Sequence, residues 1–390
     1  MKRMRRRHRP IGSAVAVLSL SLASAASGAA DCSSMFHGNP QHTGVCPTDV
    51  REMKLLWRFH TGNMVRSTPA VVDGMVYVGS NDKHFYALDA KTGRLSWSFS
   101  ARGGIASSPA VSHGRVWFAD ATNTIYALDA RTGHLIWKVS TGQDLPVVGG
   151  WDFYQSSPTV MEGVLYVGSG DGHIYARDAR TGRRMWAFAT QGRVHTSPAV
   201  WGRYVVFGSM DGALYALDRR TGQLLWKHQT DTRPPFPMTG AFIGSPTIAA
   251  DLGLVFAGCR DGYLYAFDIA TGRLRWRLGE DGSWVVSTPA YEDGVVYATT
   301  SDTRRVQAVD ARTGKIRWQQ QGTGYAFPSP VVAPRAVYAA FWSAVVADYG
   351  KADGRAIAGN GGEGPYLSSP VIAHGVLFIG CDDGYLYAFH

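Results

Sequence analysis

The feature that most constrains the fold is a Ser-Pro or Thr-Pro pair that recurs eight times along the 390-residue chain. Successive pairs are 40 to 49 residues apart. A period of this length is typical of repeat architectures, in which each unit buries its apolar surface against its neighbours. We call these the marker pairs: Thr68-Pro69, Ser108-Pro109, Ser157-Pro158, Ser197-Pro198, Ser245-Pro246, Thr288-Pro289, Ser329-Pro330 and Ser369-Pro370.

Each repeat unit predicts about four short strands separated by turns rich in Gly, Asp and Asn. A short apolar run follows each marker pair, then a second run such as "LYALD", a Thr-Gly turn and a tryptophan. Runs such as "GVLYVGS" (163–169) are apolar at successive positions, which indicates strands buried on both faces. Helical periodicity is absent from the units. Four-stranded sheets that need neighbours on both sides stack radially in a β-propeller.

The turn residues agree with this prediction. In "ARDARTGRRMW" we expect Gly182 to adopt the positive φ of a tight turn, and Asp178 to accept backbone N–H bonds within it. Proline cannot donate to a strand ladder, so each marker pair belongs to an edge strand, which in a propeller is the innermost one.

The blades can be counted from both ends of the chain. The seventh unit has Ala358 where a tryptophan is expected, and the eighth stops before its fourth strand. Residues 54–59 match the fourth strand of a repeat unit but are not preceded by the other three strands of that unit. We therefore predict an all-β fold: an eight-bladed propeller of four-stranded antiparallel blades over residues 53–390, closed by residues 54–59 against the last sheet. The predicted structural tryptophans are Trp57, Trp97, Trp137, Trp186, Trp226, Trp276 and Trp318.

The motif A-x-D-x-x-T-G-x-x-x-W, present as Ala176, Asp178, Thr181, Gly182 and Trp186, resembles the tryptophan-docking repeat of the pyrroloquinoline quinone (PQQ) propellers. The resemblance covers roughly residues 53–390. It implies indoles wedged between neighbouring blades. That family includes quinoprotein alcohol dehydrogenases, and also a cofactor-free component of the machinery that assembles β-barrels in the bacterial outer membrane.

The N-terminal 30 residues predict a secretory signal peptide. Six of the net nine positive charges lie in residues 1–9, an apolar run follows over residues 11–22, and small residues end the segment. We expect cleavage after Ala30, with an N-terminal membrane anchor as the alternative. Residues 31–52 are then a loop segment, and the mature chain is periplasmic or secreted with no transmembrane segment. Its residual charge of +3 argues against nucleic-acid binding.

Four cysteines would remain after export, where disulfides are permitted. Cys32 and Cys46 lie in one loop-rich segment and are the candidate disulfide, with Cys46–Cys381 as the alternative. Cys259 and Cys381 occupy equivalent positions three repeats apart, too far for the roughly 5–6 Å Cα separation of a disulfide.

Function must be sought where the repeats differ. Two connections between blades, 140–155 and 229–244, are longer than the rest, and those at 279–287 and 322–328 contribute further aromatic residues. All four should share one face of the ring. An aromatic mouth there is a reasonable ligand or partner site. Its candidate residues are Trp151, Asp152, Tyr154, Trp284 and Tyr325.

Positive or titratable side chains stand close to the inner strands: Arg66, Arg193, His195 and Arg260. In one interpretation they bind carboxylates, such as those of PQQ. In the other they are solvated channel residues or partners of the Asp-Gly loops at Asp171, Asp211, Asp261 and Asp383. His195 is also a candidate general base, but no partner can be identified from spacing.

We expect an exported, monomeric, non-catalytic propeller that binds a protein or a small ligand at its channel face, with no cofactor and no metal site. The alternative is a compact PQQ-dependent dehydrogenase with calcium at the channel mouth. The adjacent cysteines of many such enzymes are absent, and no Glu, Asn and Asp set for calcium is evident. Other enzymes, such as a hydrolase or lyase, remain a third class.

Overall fold

A computed structural model of the protein describes residues 33–146, 155–230 and 241–390. Within these residues every regular element is a β-strand, and the 32 strands form eight four-stranded antiparallel sheets. No helix long and apolar enough to cross a membrane occurs in this part of the chain. The predicted eight-bladed propeller is therefore confirmed.

In blades 1 to 7 the four strands follow chain order from the innermost to the outermost, and β1 (Leu55–His60), the first strand of the chain, is the outermost strand of blade 8. Blades 1 to 4 are β2 (Ala70–Val72), β3 (Met75–Gly79), β4 (His84–Asp89), β5 (Leu95–Ser100); β6 (Ala110–Ser112), β7 (Arg115–Ala119), β8 (Thr124–Asp129), β9 (Leu135–Ser140); β10 (Thr159–Met161), β11 (Val164–Gly168), β12 (His173–Asp178), β13 (Arg184–Ala189); and β14 (Ala199–Trp201), β15 (Tyr204–Gly208), β16 (Ala213–Asp218), β17 (Leu224–Gln229). Blades 5 to 8 are β18 (Thr247–Ala249), β19 (Leu254–Gly258), β20 (Tyr263–Asp268), β21 (Leu274–Gly279); β22 (Ala290–Glu292), β23 (Val295–Thr299), β24 (Arg305–Asp310), β25 (Ile316–Gln321); β26 (Val331–Val332), β27 (Ala336–Ala340), β28 (Val345–Gly350), β29 (Ala356–Gly361); and β30 (Val371–Ala373), β31 (Val376–Gly380), β32 (Tyr385–Phe389), completed by β1.

The apolar core consists of layers between neighbouring blades. One layer joins Phe85 and Ala87 of blade 1 to Val116 and Phe118 of blade 2, and the rings of Phe85 and Phe118 stack with centroids 4.2 Å apart. The two middle strands of each blade are buried, whereas the outer strands alternate between exposed and half-buried positions. This burial explains why the middle strands are apolar at successive positions.

The ring closes as the sequence predicts. Strand β1 pairs antiparallel with β32, with Trp57 opposite Ala388 and His60 opposite Tyr385. Backbone bonds between Lys54 and His390, at 2.9 and 3.0 Å, extend the pairing to the last residue of the chain. The eighth blade is therefore assembled from both ends of the propeller.

The predicted structural tryptophans connect seven of the eight blades to the next one. In blade 3, the indole Nε1 of Trp186 donates to the backbone oxygen of Arg219 in the turn of blade 4. All seven indoles make the equivalent bond, at 2.7 to 3.1 Å. The turn glycine that faces each indole has φ between 68° and 74°. A Cβ on any of these glycines would lie 2.5 to 2.8 Å from the indole. Glycine is therefore required there both for backbone conformation and for space.

The missing tryptophan of blade 7 has a structural explanation. Its indole would dock on the turn between the third and fourth strands of blade 8, but that turn does not exist because the chain ends meet there. Ala358 is exposed. Residues of the N-terminal segment occupy the region instead: Asn360 donates to the backbone oxygen of Met53 at 2.6 Å, and the Tyr338 hydroxyl accepts the N–H of Val50 at 3.0 Å.

We predict that Gly182→Ala and Gly163→Ala differ in cost although both lie in blade 3. Both glycines have positive φ, 74° and 76°, so alanine is strained at each by about 1 kcal/mol. Only at Gly182 does the new Cβ meet an indole, that of Trp137 at 2.8 Å, which adds about 1–3 kcal/mol of overpacking. The free energy of unfolding in urea measures both variants. Equal losses would contradict the tight indole contact.

Candidate functional site

A closed ring of hydrogen bonds lies at the start of the inner strands. The backbone N–H of each marker Ser or Thr donates to the hydroxyl oxygen of the marker residue in the next blade, at 2.8 to 3.2 Å. The last bond runs from the N–H of Ser369 to Thr68 Oγ1 and completes the circle. We call these residues the hydroxyl belt: Thr68, Ser108, Ser157, Ser197, Ser245, Thr288, Ser329 and Ser369.

The N-terminal residues 33–48, called the plug below, bind the inner strands beyond the belt. Backbone oxygens of the plug accept N–H bonds from Val71 in blade 1, Val200 in blade 4 and Val332 in blade 7, at 2.6 to 2.8 Å. Similar bonds reach Val111, Ile248 and Tyr291. The plug thus pairs with strands around the ring, and the side chain of Phe36 lines the cavity inside the belt.

Two buried histidines fix the plug. His37 Nε2 lies 2.9 Å from the backbone oxygen of Pro330 in blade 7. His42 Nδ1 lies 3.2 Å from the backbone oxygen of Pro246 in blade 5, and its Nε2 lies 3.3 Å from Thr159 Oγ1 in blade 3. Burial, followed by the nearby His37, lowers the pKa of His42 to about 3, and burial also lowers the pKa of His37. The His42 imidazole is therefore neutral at pH 7.

One residue per blade, two positions before the marker residue, forms the next layer of the channel. We call these the wall residues: Arg66, Ala106, Gln155, His195, Ile243, Val286, Phe327 and Leu367. Blades 1 to 4 contribute every polar member, and blades 5 to 8 contribute only apolar ones. With Phe36 and the belt they enclose a cavity of about 60 Å³. Typical pockets for drug-sized ligands measure roughly 300–1,000 Å³, so this cavity is small.

Two of the three predicted site arginines bind carboxylates of the protein itself. Arg66 donates from Nε and from a terminal nitrogen to Asp382, at 2.8 to 3.2 Å, and both side chains are largely buried. Arg193 lies 3.2 Å from Asp144 and donates to the backbone oxygen of Leu145. The structure thus brings Arg66 and His195 to one cavity, with Arg66 neutralised by Asp382.

The aspartates of the Asp-Gly loops have other partners. The tyrosine hydroxyl four residues onward donates to each of them, as Tyr175 does to Asp171 at 2.7 Å. The same pair occurs with Asp211, Asp261 and Asp383. These bonds hold the loops of each aspartate's own blade. A structural role therefore explains why the aspartates are present.

The other predicted site residues lie on the loops of the same face. The guanidinium of the buried Arg260 stacks over the ring of Trp284, 4.7 Å from its centroid. The ring of Tyr325 is 40% exposed and lies under Arg304. Trp151, Asp152 and Tyr154 fall outside the described residues, as does Cys32, so their roles and the Cys32–Cys46 disulfide stay predictions. The side chains of Cys46 and Cys381 are buried, and Cys259 Sγ lies 3.6 Å from the backbone oxygen of Ala241.

An aromatic patch extends from the channel cavity onto this face, and it consists of Arg304, Tyr325, Phe327 and Trp342. The ring of Phe327, a wall residue, lies 5.6 Å from that of Trp342 and 6.3 Å from that of Tyr325. Trp342 is 36% exposed. Aromatic and arginine side chains of this kind are the commonest energetic centres of protein interfaces.

Glu280, just after the outer strand of blade 5, contacts blade 6 with a buried carboxylate at the place where most blades carry the tyrosine–aspartate pair. Gln307 replaces the tyrosine and donates from Nε2 to Glu280, which is buried. Arg305 lies 3.7 Å from the same carboxyl group. Burial raises the pKa of Glu280 to about 7. The Glu280 carboxyl group can therefore exchange a proton near neutral pH, but Glu280 is not among the residues lining the channel cavity.

The described residues do not fit PQQ with a metal ion. The channel cavity is smaller than a tricyclic tricarboxylate requires, Phe36 closes its inner end, and Asp382 already binds Arg66. In the described parts of the chain no group of three or more His, Cys, Asp or Glu side chains is placed to hold a metal ion.

Comparison with known families agrees with this architecture. A family model described as the outer membrane protein assembly factor BamB matches residues 47–151, 121–280 and 243–380. These matches span most of the propeller. The chain belongs to the BamB family of PQQ-type β-propellers. No curated protein matches its sequence.

Solved structures of very different activity share this BamB-family fold. BamB from Moraxella catarrhalis aligns with a TM-score of 0.72 at 19% identity, covering 86% of this chain and 99% of that one. A europium-containing methanol dehydrogenase aligns with a TM-score of 0.75 at 14% identity, covering 91% and 97%. Quinohemoprotein alcohol dehydrogenase from Comamonas testosteroni gives 0.75 at 16% identity, covering 91% and 80%. At such identities the likeness establishes the fold alone.

Sequence reasoning missed several residues of this BamB-family channel. The belt hydroxyls were visible as Ser or Thr in all eight marker pairs, but only the proline was interpreted. Gln155 and Phe327 could have been found by aligning the residues two positions before each marker. Phe36 had no such signal, because the plug does not contain the repeat.

We predict that the plug makes stability fall in mild acid. The unfolded chain binds a proton at His42 below about pH 6.5, whereas the folded chain does so only near pH 3. Stability therefore falls as pH drops from 7 to 5, by about 2 kcal/mol from this group. His42→Asn, which suits the positive φ of 59°, should lower stability at pH 7 and flatten its pH dependence.

The control for this experiment is His134→Asn, on an exposed turn, which should keep the full pH dependence. Denaturant unfolding at pH 7 and pH 5 provides the measurement. An unchanged slope in His42→Asn would show that the plug histidine is not protonated on unfolding.

Proposed function

We propose that this protein is an exported, non-catalytic binding scaffold that acts in outer membrane protein assembly and captures a protein partner with the face surrounding its channel. Membership of the BamB family supports this role. The N-terminal sequence supports export, because its charged, apolar and small-residue regions follow the order of a signal peptide.

The observation that carries the proposal is the plugged channel. A segment of the chain itself closes one end, and the remaining cavity is about 60 Å³. The accessible recognition surface is then the loop face, and its aromatic patch offers Tyr325 and Trp342 to a partner. We further propose that the protein works without PQQ, because the two best-placed arginines already form ion pairs with Asp382 and Asp144.

The similarity to dehydrogenase structures makes a compact quinoprotein dehydrogenase the competing function. It is tested directly by adding PQQ with calcium or a lanthanide ion to the purified protein and assaying dye-linked alcohol oxidation. We expect no turnover and no quinone absorbance retained on gel filtration. Turnover would overturn the scaffold proposal.

We predict that the double variant Tyr325→Ala/Trp342→Ala loses function without unfolding. Removing two partly exposed aromatic side chains should weaken partner binding at least tenfold, because such residues dominate interface energies, and change the melting temperature little. In a deletion strain of the native host, we expect wild type but not this variant to restore the folded porin content of the outer membrane.

The matched control is Leu135→Ala/Ile136→Ala, which removes two equally exposed apolar side chains from the outer strand of blade 2. It should restore porin content like wild type. If both variants restore it, the aromatic patch is not the docking surface. If the deletion leaves porin content unchanged, the assembly role itself is wrong.

A further inference from the structure

The hydroxyl belt is a ring of eight hydroxyl-bearing residues around the cavity. Each belt oxygen accepts one backbone N–H, as Ser197 Oγ does from Ser157 at 3.0 Å. Within the described residues, no belt hydroxyl donates to a protein acceptor. All eight belt residues line the channel cavity. A hydroxyl that already accepts a bond is polarised and becomes a better donor, so the ring favours an acceptor inside it.

Gln155 adds a donor of fixed orientation. Its Oε1 accepts the backbone N–H groups of Ala106 and Ser107, at 2.9 and 3.1 Å. Two donors on one atom identify that atom as the oxygen, so the amide NH₂ is the other group. That NH₂ has no acceptor among the described residues, and Gln155 lines the cavity.

The side chains around the cavity favour an anion over a cation, because they supply hydrogen-bond donors and an arginine already paired with an aspartate. Among the residues that the structure describes, the cavity lining contains no aspartate or glutamate. The carboxylate of Asp382 is bound to Arg66, a wall residue. The volume of about 60 Å³ suits a few atoms and excludes a ring system.

We propose that the channel binds one small carboxylate anion, of the size of formate or acetate, held by the belt hydroxyls and the Gln155 amide above Phe36. The site lies behind the aromatic patch and is independent of the protein partner proposed above.

The first test uses the isosteric variant Gln155→Glu. This substitution keeps the oxygen that accepts the Ala106 and Ser107 N–H groups, so the loop is preserved, but replaces the NH₂ donor with a negatively charged oxygen. We expect formate binding, measured by calorimetry on the wild-type protein, to weaken at least tenfold in this variant. Gln223→Glu on an exposed outer turn makes the same charge change and should bind formate like wild type.

The second test fills the cavity without altering a donor. Ala106→Leu places three extra carbons among the wall residues and should abolish formate binding, whereas Ala121→Leu at an exposed position of the same blade should not. In wild-type crystals, bromide should give an anomalous peak inside the belt that formate displaces.

The outcomes separate clearly. The proposal would be overturned if wild type did not bind formate, or if Gln155→Glu and Gln223→Glu weakened binding equally. It would also be overturned if crystals soaked in rubidium, a cation probe, gave an anomalous peak inside the belt and those soaked in bromide did not. A bromide peak without formate binding in solution would mark an adventitious ion only, and would also overturn it. Porin assembly by Gln155→Glu should stay normal, so failure here leaves the scaffold role intact.

Discussion

The closed hydroxyl belt is the constraint on which the rest of the structure depends. Inner strands of two or three residues pair with only one neighbour within their own blade, so their inner edges need other partners. The marker proline has no N–H, and the N–H of the residue before it is satisfied by a hydroxyl of the next blade. Each such bond contributes only about 1 kcal/mol, but the eight bonds close a circle. They therefore set the spacing of the inner strands, and with it the width of the channel.

Ring closure explains two departures from the repeat at once. The eighth blade takes its outer strand from residues 55–60, so the turn that would receive an indole from blade 7 is replaced by the chain ends. Tryptophan at position 358 would have no receiving turn, and alanine stands there. The turn of blade 7 itself is retained, because the backbone oxygen of Lys351 and the space at Gly354 still receive Trp318 from blade 6. The seventh unit thus lacks an indole on the side that faces the junction but still receives one from blade 6.

The sequence was sufficient for the fold because its signals are periodic and local. A Thr-Gly turn, an indole four residues later and a marker pair specify each blade, and the unpaired Trp57 strand specifies closure. The plug was not predictable, since most of its bonds to the inner strands use backbone groups that any sequence offers, and no spacing relates His37 and His42 to their partners in distant blades. Arg66 and Asp382 are 316 residues apart, and no spacing rule relates them. The connections containing Trp151, Asp152 and Tyr154 differ from the repeat, so the repeat carries no information about them.

The belt also limits where function can reside. A belt residue must supply a hydroxyl to its neighbour, and a turn glycine must leave room for an indole, so a change at either position weakens a contact between blades. The wall residues make neither of these contacts, so they can differ between blades. They include Arg66, Gln155 and His195 on one side of the channel and Phe327 and Leu367 on the other. A channel that is polar on one half and apolar on the other cannot arise from an exact repeat. In a propeller of this kind, the differences between blades at a single aligned position therefore locate the site, whereas the similarity between them locates only the scaffold.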